Sequence, residues 1–402
     1  MILKKCPKVY ILETHRSRTP ESTLHFIESL RDLIGMRDVR EASNLDRIGI
    51  PVFTCHRIRP DNSKTSHTGK GVSPIQAQVS LTMESIERYS SEFKDEYGHT
   101  LVKGTYHQLK SSYHVLDPEE MILSQFSDYS HDHDIHWIRG YDIARHEEIL
   151  VPACAVYHPF DMDNVFLMHT NTNGLASGNT LEEAVVHGLA EVIERDAWSI
   201  ARYTRKYSDA LYIEDEPGNR FIIDVFEKFL NADIEIVAKD ITSDIGVPVV
   251  ASFSRDLVHP SMQPIDGFGA HLDPRVAMVR SILEIVTTRG LFIQKFGIEG
   301  ISEQTTAYLS DHGGDEDDPR FYAYHRKGLH GLEAAYSDDI LLDIRTIVRK
   351  LGERDLNRVI AVDLTRPETG IPTVRIMVPG LETYCFDKTR IGTRVLKAAL
   401  EC

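Results

Sequence analysis

Short apolar runs rich in Val and Ile alternate with stretches of helical periodicity along most of the chain. Six runs have the length and composition of β-strands and cover 137–142, 149–156, 234–238, 249–253, 359–363 and 373–378. A further strand-like run covers 48–55, apolar spacing predicts a helix over 22–33, and another helix is predicted to begin near Pro74. Because strands and helices are interspersed, the pattern indicates a mixed α/β fold.

This pattern divides the chain unevenly. Residues 1–60 are mixed in character and are interpreted as an N-terminal lead-in segment, whereas 61–402 are interpreted as one large domain. The run HRIRPDNSKTSHTGKG (56–71) is polar and rich in turn formers, so it is predicted to be a loop. The large domain is therefore expected to begin with a loop that leads into the helix near Pro74.

One sequence pattern occurs three times. Residues 71–88, 178–195 and 271–288 align without gaps on Ala77, Ala184 and Ala277. A helix-capping residue follows two positions after the start of each copy, with Pro next to it in the first and third copies; the caps are Ser73, Thr180 and Asp273. Three helices are therefore predicted to start alike, and each carries a glutamate two turns beyond the shared alanine: Glu84, Glu191 and Glu284.

The first two copies extend this glutamate to a pair. Glu84 with Glu87, and Glu191 with Glu194, are spaced i and i+3 on one helical face and border apolar positions. A solvated acidic face is a common alternative, but the repetition and the nearby buried positions favour a counter-charge. Four carboxylates around one cleft suit Mg2+, which takes a few carboxylates together with water and phosphate oxygens.

Other residues of the repeats suit phosphate. Arg195 and Arg280 could neutralise phosphate oxygens, and Asn179 lies just before a helix N-terminus, where free amides favour an anion. Glu183 fits a capping box in which its carboxylate returns to the backbone amide of Thr180. The chain has no GxxxxGK[ST] sequence and no GxGxxG after a strand, so the residues alone indicate a magnesium and phosphate site outside the common nucleotide-binding folds.

Composition limits the partners and the compartment. The 402 residues carry 45 Lys plus Arg against 61 Asp plus Glu, a formal charge of -16, so nucleic acid and anionic membranes would be repelled overall. The chain has no apolar run of about eighteen residues and no N-terminal secretion signal, so a cytoplasmic protein is expected. Its five cysteines lie far apart without a CxxC pair, which favours reduced thiols over disulfides or zinc ligands.

Two polar runs are weaker candidates for metal sites. The consecutive His and Asp residues of HDHDIH (131–136) do not converge on one ion without a sharp turn, which favours a solvated loop before a strand. The acidic run GGDEDD (313–318) lacks the alternating spacing and the twelfth-position Glu of a calcium loop. A surface loop is therefore favoured for both runs.

At the three repeats the sequence resembles the YcaO family, whose members use ATP and Mg2+ to phosphorylate a peptide backbone amide oxygen. The matching strings are GKGVSPIQAQVSLTMESIER (69–88), ASGNTLEEAVVHGLAEVIERDA (176–197), GFGAHLDPRVAMVRSILEIVTTR (267–289) and VPGLE (378–382). The resemblance implies a mixed α/β YcaO fold, with 61–402 as the catalytic domain and an ATP pocket built from the three similar helix starts.

The resemblance also implies roles for individual residues. The magnesium ligands would be Glu84, Glu87, Glu191 and Glu194, and the nucleotide contacts would be Asn179, Glu183, Arg195, Arg280 and Glu284, with Lys70 as a further candidate. It assigns no catalytic base. One position departs from the family pattern: Thr287 stands where many relatives have Gln, so one polar contact beside the third helix is lost or replaced by hydroxyl bonding.

Phosphorylation gives the amide oxygen a leaving group that a nucleophile can displace. A Cys, Ser or Thr side chain then yields an azoline, sulfide a thioamide and an amine an amidine, and the motifs do not distinguish these products. The segments KKCPKVY, THRSRTPESTLHFIESL and LDRIGIPVF are similar to the methanogenesis-marker, TfuA-associated subgroup of YcaO proteins. The tail GTRVLKAALEC also lacks the proline-rich ending of many azoline-forming members.

The resemblance to this subgroup implies thioamide formation with sulfide or another sulfur donor. The implied substrate is a glycine of the methyl-coenzyme M reductase α subunit, which becomes thioglycine, and the implied partner is a TfuA-like protein. A homodimer is expected from the prevalence of symmetric dimers. Two alternatives stay open: an azoline-forming cyclodehydratase, and a scaffold subunit that binds ATP without turning it over.

Overall fold

The computed structural model describes residues 1–401 apart from 60, 208, 261, 263, 310–320 and 322–324. The helices are α1 Pro20–Ile27, α2 Pro74–Ser91, α3 Tyr106–Leu109, α4 Leu181–Thr204, α5 Arg220–Asn231, α6 Pro274–Leu309, α7 Ile340–Gly352 and α8 Thr393–Leu400. The first eight strands are β1 Tyr10–Ile11, β2 His15–Arg16, β3 Met36–Glu41, β4 Val52–Ile58, β5 Lys64–Lys70, β6 Leu101–Gly104, β7 Ile135–Asp142 and β8 Glu147–Pro152. The remaining strands are β9 Leu175–Ser177, β10 Ala210–Tyr212, β11 Ile234–Asp240, β12 Val249–Asp256, β13 Ile265–Ala270, β14 Arg326–Gly328, β15 Ile360–Asp363 and β16 Thr373–Met377.

Within the described residues the strands form four sheets. A five-stranded sheet has the order β13-β12-β11-β10-β14, and a six-stranded sheet has the order β6-β7-β15-β16-β9 with β8 also paired to β7. A three-stranded sheet, β3-β4-β5, and the short β1-β2 pair complete the set. The pairs are antiparallel except for β10 with β14.

Helix α4 lies between the two large sheets. Its apolar residues share one core with Ile376 of β16 and with Phe268 of β13, and α7 joins the same core. Helices α5 and α6 supply a second core on the five-stranded sheet, and α1 and α2 pack on the three-stranded sheet. No helix in the described part of the chain is both long and apolar enough to cross a membrane.

Three strands run into the three repeated helices. Strand β5 leads into α2, β9 into α4 and β13 into α6, and each helix packs back on the strand before it. This close packing requires glycine, because a Cβ on Gly69 would lie 2.2 Å from Leu81 N and one on Gly269 would lie 2.3 Å from Ala277 O. The unit that repeats is therefore a strand followed by a capped helix that packs back on it; glycine permits the close crossing in the first and third units, and Ala176 stands at the matching position of the second.

The six principal strand predictions correspond to β7, β8, β11, β12, β15 and β16, with small differences at most ends; the exception is the run 149–156, where β8 ends at Pro152 and Ala153–Ala155 form a 3-10 turn. The predicted helix over 22–33 is present as α1 followed by one 3-10 turn, and the run at 48–55 contributes to β4. The predicted loop over 56–71 is wrong, because β4 and β5 pair from Val52 with Lys70 to Ile58 with Lys64. Polar residues of β5 such as His67 and Thr68 are buried under α2, so they resemble a loop only in composition. Strands β4 and β5 pair although they lie on opposite sides of the predicted boundary, and the division into a lead-in segment and a catalytic domain stays a prediction.

Candidate functional site

The three repeated helices start as the sequence predicts. Ser73 Oγ accepts a hydrogen bond from the amide three residues later at 3.4 Å, and Thr180 Oγ1 does the same at 3.2 Å. At α6, Asp273 Oδ1 accepts from the amide two residues later at 3.0 Å. All three predicted caps are confirmed.

A glutamate of each of the first two helices contacts the strand that precedes the next helix. Glu87 of α2 accepts from both N and Oγ of Ser177, at the end of β9, at 2.9 Å. Glu194 of α4 accepts from Ala270 N, at the end of β13, at 3.1 Å. These bonds link the first strand–helix unit to the second, and the second to the third.

An ion pair closes this ring of contacts. Glu284 of α6 pairs with Lys70, at the end of β5, which leads back into α2. Lys70, Ser177 and Ala270 occupy equivalent positions, each seven residues before the shared alanine of its copy. The position in α6 that matches Glu87 and Glu194 is Thr287, whose hydroxyl donates to a carbonyl of its own helix at 3.2 Å. In the third unit the contact to the strand of the next unit is therefore made by Glu284, because the hydroxyl of Thr287 bonds within its own helix.

Burial controls the ionisation of the linking carboxyls. Desolvation raises the pKa of Glu87 to about 7 although Ser177 donates to it, and raises that of Glu194 to about 7 although Arg195 is nearby. Such carboxylates have too little counter-charge from the protein itself. They are the kind of group expected to ligate a cation.

The other glutamate of each pair, Glu84 or Glu191, lies within 4 Å of an arginine. Burial also raises the pKa of Glu191, against the charges of Arg195 and Arg88. Arg195 Nη2 lies 3.9 Å from Glu191 and 3.8 Å from Glu194. Glu84, with a side chain 35% exposed, lies 3.6 Å from Arg88. The two carboxylate pairs are thus accompanied by one arginine each.

The four glutamates do not form a closed cage. Among the described residues, ligand atoms of three or more His, Cys, Asp or Glu lie within 4.8 Å of one another only at Asp117, Glu119 and His131. Two separated pairs of carboxylates fit Mg2+ better than a closed cage would, because this ion usually takes one or two protein carboxylates and completes its shell with phosphate and water oxygens. The donor set therefore fits Mg2+ held together with a nucleotide.

A cluster of cations lies beside the first turns of α4. Arg280 donates from Nη1 and Nη2 to His187 Nε2, both at 3.3 Å, and its Nε is buried without a hydrogen-bond partner in the described structure. The pKa of His187 lies well below its ordinary value. Burial is the largest cause, and the charges of Arg280, Arg16 and Lys70 add to it. His187 is therefore neutral and does not compensate the charge of Arg280, which remains available to an anion such as a phosphate group.

Arg16 is a further cation beside the repeated helices, and no sequence motif singled it out. It lies in β2, inside the segment interpreted as a lead-in, and burial lowers its pKa while Glu183, Arg280 and Glu87 act on it as neighbouring charges. The only sign of Arg16 in the sequence is the group of basic residues in THRSR (14–18). The hydrophobic residues around this group have no helical or strand spacing that would indicate where its side chains lie. Only the fold brings Arg16 to the repeated helices.

Asn179 and Glu183 hold the N-terminal segment in place. Glu183 Oε1 accepts from Ser17 N at 2.8 Å and Oε2 accepts from Asn179 N at 2.5 Å, while Asn179 Oδ1 accepts from Thr23 Oγ1 at 2.9 Å. The capping-box prediction is wrong in its donor, because the carboxylate binds the amide of Asn179 instead of that of Thr180. The second donor, Ser17, lies far away in the sequence and draws the carboxylate out of the local motif.

The polar run 131–136 supplies one residue to the acidic group named above. His131 Nε2 lies 2.9 Å from Asp117 and 3.9 Å from Glu119, whereas His136 pairs with Asp163 at 2.6 Å. As predicted from the sequence, the side chains of this run do not converge on one point. The other acidic run, 313–318, lies outside the described residues.

The cysteines are free thiols where the structure describes them, as predicted: Cys6, Cys55, Cys154 and Cys385. Burial raises the pKa of each of these thiols, so the nucleophilic thiolate is disfavoured. Cys402 lies outside the described residues.

Comparison with known proteins identifies a family and relatives over nearly the whole chain. A family model described as YcaO cyclodehydratase, ATP- and Mg2+-binding, matches residues 68–382. An uncharacterised protein of Methanothermobacter thermautotrophicus is 35% identical over 397 residues, covering 94% of this chain and 97% of its own length. A protein of Rhizobium leguminosarum bv. trifolii, described as uncharacterised and in the tfuA 3′ region, is 26% identical over 392 residues, covering 91% of this chain and 88% of its own length.

Solved structures show the same fold. YcaO from Methanopyrus kandleri, bound with AMPPCP and Mg2+, matches with a TM-score of 0.77 and 28% identity, covering 96% of this chain and 98% of its own. A heterocyclase in complex with substrate and cofactor matches with a TM-score of 0.78 and 23% identity, covering 95% of this chain and 54% of its own, and shows the shared fold alone. The predicted mixed α/β fold is confirmed.

Proposed function

This chain belongs to the YcaO family of ATP- and Mg2+-binding proteins, and from that membership we propose that it activates a peptide backbone amide by phosphorylation and then forms a thioamide with sulfide. The observation that carries the activation step is the ring of three strand–helix units. It brings two pairs of glutamates, of which Glu194 is buried and the other three are partly buried, and a cluster of cations to one region of the fold. These are the two kinds of group that a magnesium nucleotide requires.

The glutamates are proposed to bind the metal. When bound, ATP and Mg2+ supply the phosphoryl group and part of the charge that stabilises its transfer. Glu84 and Glu87 approach from α2, and Glu191 and Glu194 approach from α4. The raised pKa values of Glu87 and Glu194 mean that these two carboxyls must lose their protons before they can ligate a cation.

The cations are proposed to bind and orient the phosphates. Arg280 has an unpartnered buried Nε, and Lys70 and Arg16 act on the same neutral His187. Arg195 is stacked 5.2 Å over Trp198, which holds its guanidinium beside Glu191 and Glu194.

Glu284, Asn179 and Glu183 are proposed to line the nucleotide pocket through the groups that they position. Glu284 fixes the ammonium group of Lys70. Asn179 and Glu183 fix the segment that carries Arg16, through Thr23 and Ser17.

Two relatives support sulfide as the nucleophile. One comes from a methanogen, and the other is described by its position in the tfuA 3′ region. On this basis the proposed substrate is a glycine of the methyl-coenzyme M reductase α subunit, the proposed partner is a TfuA-like protein, and the proposed sulfur source is sulfide or a donor of it. A homodimer remains our expectation for the assembly.

Mass spectrometry of the product tests the proposal. A glycine-containing reductase peptide is incubated with this protein, a TfuA-like partner, ATP, Mg2+ and sulfide, and phosphate release is followed in parallel. The expected result is a mass gain that matches replacement of one oxygen by sulfur, with Glu191→Gln as the inactive control. Loss of water would indicate an azoline instead. No mass change and no phosphate release would indicate a scaffold subunit.

A further inference from the structure

A small cavity lies beside the glutamate pairs, at the end of β16. Its volume is about 70 Å3. A water molecule needs about 10–15 Å3 of such cavity volume, so the cavity has room for a few water molecules or for an anion of few heavy atoms. The polar part of its lining is Asn171, Asn173, Arg375, Thr383 and Arg390, and its apolar part includes Met121, Met168 and Val192.

Polar atoms in this lining lack hydrogen-bond partners. Nε and Nη1 of Arg375, Oδ1 of Asn173 and Oγ1 of Thr383 are all buried, and none has a partner in the described structure. Arg375 is 4% exposed and Thr383 is 6% exposed, so bulk water does not replace the missing bonds. Buried N–H groups of a guanidinium are costly to leave unpaired, which points to a ligand that accepts hydrogen bonds.

The two charged side chains of the lining, Arg375 and Arg390, are both cations. Arg375 donates from Nη2 to Asn171 Oδ1 at 3.0 Å, and this acceptor is uncharged. Arg390 donates to backbone carbonyls at 2.7 Å, which are also uncharged acceptors. Burial lowers the pKa of Arg375 to about 10. The charges of Arg88 and Arg390 lower it further, and the charge of Glu191 raises it. A small anion would compensate both guanidinium groups.

The cavity adjoins the region where we place amide activation. Val192, which lines it, directly follows Glu191 in α4, and the charge of Glu191 acts on Arg375. A ligand in the cavity is therefore close to the proposed metal site without occupying it. That is the arrangement needed for a second reactant that attacks after the amide oxygen has been phosphorylated.

We propose that this cavity binds the anionic sulfur nucleophile, with hydrosulfide as the simplest case. The inference rests on the thioamide function proposed above. Arg375 donates hydrogen bonds to the sulfur anion, Thr383 adds its hydroxyl, and the apolar side chains restrict competing water. A carbon–sulfur bond forms and the bond from that carbon to the phosphorylated oxygen breaks, so the original amide oxygen leaves in inorganic phosphate. One proton from hydrosulfide balances the products, which are a thioamide, ADP and hydrogen phosphate, and no oxidant or reductant is needed.

Steady-state kinetics test the role of the cavity. Thioamide formation is measured against sulfide concentration, with the partner present and with ATP, Mg2+ and peptide saturating. Arg375→Gln removes a charge-assisted donor, so the KM for sulfide should rise at least about tenfold while the KM for ATP changes much less. Thr383→Val preserves the shape and removes an unpartnered hydroxyl; it should remain folded and raise the KM for sulfide a few-fold.

Arg366→Gln is the matched control. Arg366 is also 4% exposed, but it donates to the backbone carbonyl of Glu92 and lies outside the cavity lining. Its variant should leave the KM for sulfide unchanged. An equal rise in this control, or no rise in both cavity variants, overturns the assignment.

Bromide supplies a direct binding test, because it is a monatomic anion. Crystals of the full chain soaked in bromide should show an anomalous peak within hydrogen-bond distance of Arg375, and absence of that peak overturns the anion cavity. The two proposals fail differently. If the wild-type protein forms no thioamide, the proposed function fails and the sulfide assignment fails with it. If the wild-type protein forms thioamide but both cavity variants keep its KM for sulfide, only the assignment of the cavity fails.

Discussion

Replacing Glu194 by glutamine should stabilise the protein while removing part of the proposed metal site. Glu194 is 3% exposed, and burial raises its pKa to about 7 from an ordinary value of 4.5. Below pH 4.5 the carboxyl is protonated in both the folded and the unfolded chain, so the fold keeps its full stability. As the pH rises from 4.5 to 7, the unfolded chain ionises first and stability is lost.

The size of this loss follows from the two pKa values. The difference between about 7 and 4.5, at about 1.36 kcal/mol for each pH unit, corresponds to about 3 kcal/mol at pH 8. Glutamine keeps the shape and an oxygen that accepts from Ala270 N, and it carries no charge. The free energy of unfolding of Glu194→Gln should therefore exceed that of the wild type by up to about 3 kcal/mol at pH 8, and the gain should vanish near pH 4.

Urea denaturation without Mg2+ or nucleotide, at pH 4, 6 and 8, measures this difference. Glu382→Gln is the matched control, because Glu382 is fully buried and both of its oxygens accept backbone hydrogen bonds at the start of α8. Its amide nitrogen would face a backbone donor at a cost of about 1–3 kcal/mol, which offsets the gain expected from the pKa of Glu382 that burial also raises, so that variant should be less stable at pH 8 than Glu194→Gln. A destabilised Glu194→Gln at pH 8, or a gain that does not change with pH, would refute the reasoning.

Further predictions concern nucleotide binding and are checked by calorimetry with AMPPCP and Mg2+. Affinity should rise by up to about a hundredfold from pH 6 to pH 8, because Glu87 and Glu194, both with a pKa of about 7, must lose a proton to ligate the metal; a flat profile would contradict this. Glu84→Gln and Glu191→Gln should weaken magnesium-dependent nucleotide binding and leave the circular dichroism spectrum unchanged. Wild-type affinity in both variants would show that Glu84 and Glu191 do not bind the metal. Arg16→Gln should weaken binding about tenfold or more, since a partly buried, charge-assisted donor is lost; an unchanged affinity would show that Arg16 does not contact the phosphates.

The local features of the site could be predicted from the sequence. The caps Ser73, Thr180 and Asp273 bond to amides two or three residues away, so a short motif contains both partners. The same holds for the strands with apolar runs. Strand β5 was missed because its polar residues are satisfied by β4 and covered by α2, and no local pattern records either neighbour.

The contacts that assemble the site could not be predicted in the same way. Lys70 pairs with Glu284, which lies more than half the chain away in sequence. Glu183 accepts from the amide of Ser17 instead of the amide of Thr180 in its own motif. Arg16 and Arg375 belong to short strands without amphipathic repetition, so nothing near them in the sequence marks them as buried cations. Long-range pairing of charges depends on the fold, and a local motif contains at most one of the partners.

An isotope experiment tests the central claim most directly. The glycine carbonyl of the reductase peptide is labelled with 18O and incubated with the protein, a TfuA-like partner, ATP, Mg2+ and sulfide, and the peptide and the phosphate are both analysed by mass spectrometry. Activation by phosphorylation followed by sulfide attack predicts that the peptide exchanges its labelled oxygen for sulfur and that the 18O appears in inorganic phosphate. Unlabelled phosphate together with a peptide that retains its 18O would contradict the account.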